Sequence, residues 1–148
     1  MKAEFDEKDI DILQILREDC SLSKKQIAKK LNLPLTTVHN RIQKLKNSGA
    51  IEAFKAVINW KKLGYNIFAY VHIEIKYGQK NYSQTETAKK IKLLEDVEEV
   101  SIVAGTTDII AKIKNKSTEE LNDFIINKLR KIEGVDKTKT FVILKEIN

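Results

Sequence analysis

The hydrophobic residues of this 148-residue chain change their period at Gly49. Before it they recur at helical spacing; beyond it they fall at alternate positions, as in half-buried strands. Such a chain fits neither a lone helical bundle nor an all-β sandwich. It must join a small helical unit to a second, mixed one. In the first part, Ile10, Leu13 and Leu16 form an apolar stripe flanked by Ile12 and Ile15, which predicts a helix. Ser23 and Gln26 stand at capping-box spacing, with Leu22 and Ile27 where a hydrophobic staple needs them, so a second helix begins there. Asn32 can take the left-handed conformation that ends it. Pro34 suits the first turn of a third helix, which carries Leu35, Val38, Ile42 and Leu45 on one face and stops before Gly49. Three short helices with a tight turn between the second and third make a helix-turn-helix unit.

Past Gly49, residues 51–59 read as a linker strand and 60–64 as a connector. Ile67, Ala69, Val71, Ile73 and Ile75 then alternate with Phe68, Tyr70 and His72. A helix over 83–95 turns Ala88, Ile91 and Leu94 inward, and strands at 97–103 and 108–113 flank a turn at Gly105. Ser117 and Glu120 form a second capping box, opening a helix with Leu121, Phe124, Ile125, Leu129 and Ile132 as its core stripe. A last strand covers 138–144. The order βαββαβ is the split, ferredoxin-like plan. The five glycines, Gly49, Gly64, Gly78, Gly105 and Gly134, and the single Pro34 punctuate this layout. A weak repeat supports it: Glu-Asp-Val-Glu at 95–98 and Glu-Gly-Val-Asp at 133–136 stand 38 residues apart, each after a helix and before a strand. The fold class is therefore α+β. Residues 1–50 form a three-helix helix-turn-helix domain, 51–64 a linker strand and connector, and 65–148 a ferredoxin-like domain. With both helices on one side of the sheet, the other side carries Phe68 and Tyr70 bare, which predicts self-association as a two-fold dimer.

Charge is segregated. Residues 20–51 hold seven basic side chains (Lys24, Lys25, Lys29, Lys30, Arg41, Lys44, Lys46) and no acidic one, whereas residues 1–19 hold seven acids, in a chain of net charge +6. A positive field confined to the helix-turn-helix suits a polyanion, although a lysine-rich helix can also simply be solvated. On the third helix Asn40 lies opposite the apolar stripe, flanked by Thr36, Thr37, Gln43 and Lys44. A reading helix presents its N-terminal half to the major groove, so Thr36, Thr37 and Asn40 are the candidates for base contacts. Lys44, Arg41, Lys29 and Lys30 are placed to position phosphates. These features favour double-stranded DNA as partner.

Other classes find little support. No apolar run approaches the ~20 residues of a membrane span, and the acidic N-terminus has no signal-peptide core. One cysteine, Cys20, excludes an internal disulfide framework and points to a reducing cytoplasm; it reads as a small packing residue. No metal-ligand spacing, phosphate loop, dinucleotide fingerprint or catalytic set occurs, so no metal, cofactor or catalytic residue is expected. His39 reads as an exposed helical residue able to touch phosphate, and His72 as one buried at a sheet interface. The segment Gly105-Thr106-Thr107-Asp108 can be a plain hairpin or can cradle a small polar molecule through backbone N–H groups and Asp108. The remaining alternatives are a DNA-organising protein of low sequence specificity and a metabolite-sensing module that docks a protein; a ferredoxin-like RNA binder lacks its aromatic signature.

Four segments together resemble the Lrp/AsnC, or feast/famine, transcription regulators: DEKDIDILQILRED at 6–19, IAKKLNLPLTTVHNRIQKLKNSGAIEAF at 27–54, the 105–108 turn, and GVDKTKTFVIL at 134–144. The resemblance spans almost the whole chain. It implies an N-terminal DNA-binding helix-turn-helix, a linker strand and a C-terminal domain that dimerises sheet to sheet, assembles further into tetramers or octamers, and senses free amino acids. The implied effector residues are Gly105, Thr106, Thr107 and Asp108, with Thr138 and Thr140 on the last strand. Two positions differ from the family pattern: Pro34 replaces the usual Ser, and Thr107 replaces a common aromatic.

Overall fold

Local capping sets where the first helices begin. The computed structural model describes residues 4–76 and 83–147, so Gly78 lies outside the described residues. Helix α1 (Glu7–Glu18) opens on a reciprocal cap: Asp6 accepts the Asp9 N–H and Asp9 accepts the Asp6 N–H. Helix α2 (Lys24–Leu31) opens on the expected Ser23–Gln26 box and closes at Asn32, whose φ of 51° is left-handed. Helix α3 (Leu35–Asn47) follows Pro34, which sits one residue earlier than expected, at the cap, where it supplies no side-chain bond. Ile12, Leu16, Ile27, Val38, Ile42 and Leu45 form the helical core, with Leu13, Ile15, Leu22 and Ile51 packed at its edge.

Two expectations fail within this unit. Ile10 is exposed; two residues at about 100° each carry it to the far side of α1 from Ile12. Leu35 is exposed as well, because it starts α3 at the rim of the depression between α2 and α3.

The chain divides into two compact units between Val57 and Ile58. The strand expected at 51–59 is not formed: those residues make no ladder with any described strand. Ile51 instead donates its N–H to the Leu45 carbonyl at 3.0 Å and closes the helical core. A strand exists only by pairing its backbone groups, and no described strand offers that pairing here.

The second unit is built on strands β1 (Ile67–Ile75), β2 (Val97–Ile102), β3 (Ile109–Asn115) and β4 (Val135–Val142), in the order β2-β3-β1-β4 and antiparallel throughout. Helix α4 (Gln84–Lys92) and helix α5 (Thr118–Asp123) cover one face, giving the ferredoxin-like βαββαβ plan. The alternation of β1 is as read: Ala69, Val71, Ile73 and Ile75 are buried under Ile91, Phe124 and Leu129. α5 continues as a π turn (Phe124–Lys128) and a 3₁₀ turn (Leu129–Lys131), which keep Phe124, Ile125 and Leu129 buried. Its capping box is only half made. Ser117 accepts the Glu120 N–H, but the Glu120 carboxylate takes the N–H of Lys116.

The repeat is real in the backbone. Lys114 donates to the Asp96 carbonyl and Lys76 to the Gly134 carbonyl, both at 2.9 Å; Val97 bonds back to Leu94 and Val135 back to Ile132. Each helix thus hands over to its strand through the same turn.

The open sheet face differs from expectation at one residue. Tyr70 is 42% exposed, but Phe68 is only 8% exposed, with the Lys61 ammonium 6.0 Å from its ring centre. The turn Trp60–Leu63, read from sequence as a connector, brings Lys61 to that ring.

Candidate nucleic-acid interface and effector turn

Helix α3 buries Val38, Ile42 and Leu45, which fixes what the rest of its surface presents. Thr36, His39, Asn40 and Gln43 are exposed, at the i, i+3, i+4, i+7 spacing of a single helix face. Thr37 is half-buried beside them. Lys24, Lys25, Leu35, Thr36, His39 and Asn40 line a depression of about 520 Å³. The Lys24 Nζ lies 2.8 Å from His39 Nδ1. Lys29 and Lys30, near the end of α2, are exposed.

Arg41 and Lys44 point elsewhere. The Arg41 guanidinium bonds both oxygens of Asp6, at 2.7 and 2.8 Å, and Asp9 Oδ1 at 2.7 Å. Lys44 reaches Asp9 Oδ2 at 3.0 Å and the Glu4 carbonyl at 2.6 Å. Asp9 is 0% exposed. Burial works to raise its pKa, but hydrogen bonds from Arg41 and Lys44 outweigh this and hold the carboxyl below the usual carboxylate range. Asp6 is held low chiefly by its Arg41 bonds, and the Arg41 pKa is raised by the same two carboxylates. The two α3 cations assigned from sequence to phosphates are therefore engaged with the cap of α1. The Asp-x-x-Asp spacing at 6–9 was the available signal; it marks a capped helix start whose second carboxylate turns to the core.

In the second unit, Gly105 and Thr106 are exposed at the tip of the β2–β3 turn, where Gly105 takes a φ of 151° that disfavours a side chain. Thr107 and Asp108 fold back onto β1. The Thr107 hydroxyl donates to the Ile73 carbonyl at 3.0 Å. Asp108 Oδ2 accepts the Ile75 N–H and Oδ1 accepts from Gln84 Nε2, both at 2.8 Å. Thr138 stands across β1 opposite Ile73 and accepts from Arg130 Nε at 2.9 Å. Thr140 lies two residues along, opposite Val71. The turn and Thr138 therefore share the C-terminal end of β1. Gln84 and Arg130 escaped the sequence reading, since neither lies near the turn along the chain.

Cys20 is exposed rather than packed, because it follows α1 in the turn before α2. His72 is half-buried with its ring 4.7 Å from that of Phe141. Among the described residues no group of three His, Cys, Asp or Glu could hold a metal, and no helix is long and apolar enough to cross a membrane.

Residues 69–148 match the family model described as the Lrp/AsnC ligand binding domain, and residues 5–52 that of a winged helix-turn-helix DNA-binding domain. Over 145 residues the chain is 39% identical to HTH-type transcriptional regulator FL11 of Pyrococcus furiosus, covering 98% of this chain and 93% of that one. The chain belongs to the Lrp/AsnC family of transcription regulators. Among solved structures, B. subtilis LrpC superposes with a TM-score of 0.85 at 28% identity, covering 100% of this chain and 99% of that one. A Neisseria meningitidis transcriptional regulator in complex with L-methionine shares the fold, with a TM-score of 0.89 at 21% identity, covering 97% and 92%. For this Lrp/AsnC regulator the first unit is accordingly the helix-turn-helix DNA-binding domain and the second the ferredoxin-like one. The proteins it matches are transcription regulators, not enzymes.

Proposed function

We propose that the protein is a sequence-specific regulator that reads double-stranded promoter DNA through the exposed face of α3. Thr36, Asn40 and Gln43 contact bases, with Thr37 beside them, while Lys29 and Lys30 lie on phosphates. The observation that carries this reading is the exposed stripe of short polar side chains directly opposite Val38, Ile42 and Leu45. Arg41 and Lys44 serve the interface indirectly, through Asp9. Residues 1–50 read DNA, 51–64 connect, and 65–148 assemble the cytoplasmic protein into a dimer and then a tetramer or octamer. Tyr70 and Phe141, exposed on the open sheet face, support such pairing. The direct test is selection of bound sites from random duplexes. A recovered pseudo-palindrome is the expected result; failure to enrich any motif would favour a DNA-organising protein of low specificity. Asn40→Ala should then cost about 1–3 kcal/mol on the recovered site and relax the base preference there, with little change on random DNA.

The 105–108 turn with Thr138 and Thr140 is the proposed effector site, and a free amino acid the proposed ligand. The L-methionine complexes of structural neighbours support that ligand class. Because Thr107 and Asp108 already bond β1, the ligand meets the exposed backbone of Gly105 and Thr106 first. Binding is then coupled to assembly by no more than its differential affinity for the two states. Thermal shift and light scattering against the twenty amino acids should reveal at least one that changes both. Silence across the whole panel, in protein that still binds its operator, would remove the effector role.

A further inference from the structure

We infer that His39 is a specificity-determining residue which reads guanine through Nε2–H, with Lys24 fixing its tautomer. The inference rests on α3 being the reading helix, and it concerns a residue read from sequence as an exposed helical one able to touch phosphate. The contact at 2.8 Å between Lys24 Nζ and His39 Nδ1 decides the protonation pattern. A lysine ammonium only donates, so Nδ1 must carry a lone pair and the ring proton must sit on Nε2. Nε2 lies on the opposite side of the ring from Lys24, which leaves an N–H donor free to meet a partner.

Position selects the partner. His39 is exposed and occupies the i+3 place in the stripe Thr36, His39, Asn40, Gln43, next to the Asn40 expected to reach base edges. Lys24 and His39 both border the depression at the start of α3. Together they form a purely donating pair, which requires a purely accepting surface. In the major groove guanine offers two adjacent acceptors, N7 and O6, and no donor, whereas adenine presents its N6 amino group, cytosine its N4 amino group, and thymine a single acceptor, O4, beside its methyl group. Against those amino groups a donor pair is repelled, thymine O4 can satisfy only one of its two members, and guanine matches both.

The test uses the full chain and the duplex recovered by site selection. His39→Ala should weaken binding to that duplex about tenfold, leave random DNA within about twofold, and erase the preference for guanine at one position per half-site. His39→Gln, which restores an N–H donor, should recover most of the affinity. Replacing that guanine by 7-deazaguanine, which lacks the N7 acceptor, should weaken the wild type but not His39→Ala. Imidazole ¹⁵N shifts should report the Nε2–H tautomer in the wild type and a tautomer mixture in Lys24→Met. Equal losses on selected and random DNA would mean a phosphate contact and overturn the inference, as would an unchanged His39→Ala protein or an Nδ1–H tautomer. A wild-type chain that selects no motif at all would instead overturn the reading of α3 on which the inference stands.

Discussion

Replacing Asp9 with alanine is expected to destabilise the helix-turn-helix unit by about 1–3 kcal/mol, the cost of removing a buried hydrogen-bonding partner from cations that stay partly exposed. The side chain is fully buried and bonded to both Arg41 and Lys44. Its loss leaves the Arg41 guanidinium with Asp6 alone, and Arg41 Nε is already buried without a partner. It also opens half of the α1 cap, because Asp9 accepts the Asp6 N–H. Acid should act on the same cluster. Both carboxyls have folded pKa values below their unfolded ones, so their contribution is complete above the ordinary carboxylate range, near pH 4. It is lost as pH falls through the depressed folded values. Helical circular dichroism followed by denaturant titration, at neutral pH and again in acid, measures both effects. An Asp9→Ala protein with an unshifted midpoint would show that the cluster contributes nothing net.

The affinity for duplex DNA is expected to fall about a thousandfold between roughly 50 and 200 mM salt. Of the seven basic side chains in residues 20–51, Arg41 and Lys44 are engaged with acids, Lys24 with His39, and Lys46 stands over the Phe54 ring at 4.8 Å. Lys25, Lys29 and Lys30 are exposed and remain for phosphates. In a two-fold assembly they neutralise about six phosphates, for a log–log slope of roughly −5, since each contributes about −0.9. Fluorescence anisotropy across a salt series reads that slope directly. Changing all three lysines to glutamine should bring it close to zero. A slope near −9 would mean that Arg41 and Lys44 leave Asp9 for the DNA; a flat series would remove the polyanion interface altogether.

What could be read from sequence follows the range of the interactions involved. Ser23 with Gln26, and the left-handed Asn32, depend on groups within a few residues and were legible. The period-two burial of β1 was legible because each core residue answers only to which side of the sheet it faces. The bonds of Arg41 to Asp9 and Asp6 were not legible because those partners lie 32 and 35 residues away, and nothing local distinguishes a cation facing acid from one facing solvent. Phe68 reads as bare in the sequence, yet Lys61 reaches its ring from the Trp60–Leu63 turn rather than from the sheet. The segment 51–59 has a strand's composition but no described partner to pair with, and composition cannot supply one. At the effector turn the residue types were legible, while the occupation of Asp108 by Ile75 and Gln84 depended on how β1, β3 and α4 converge.

The placement of β1 at the middle of the sheet has a consequence in time. It pairs with β3 and β4, both made later, so while the chain is being synthesised β1 waits with two unpaired edges. The core of the first unit is formed by its own three helices, all of them synthesised before β1. The helix-turn-helix unit is therefore the first that can fold. The sheet cannot close until β4, its last strand, is made, and during that interval β1 is the segment most exposed to pairing with a neighbouring nascent chain.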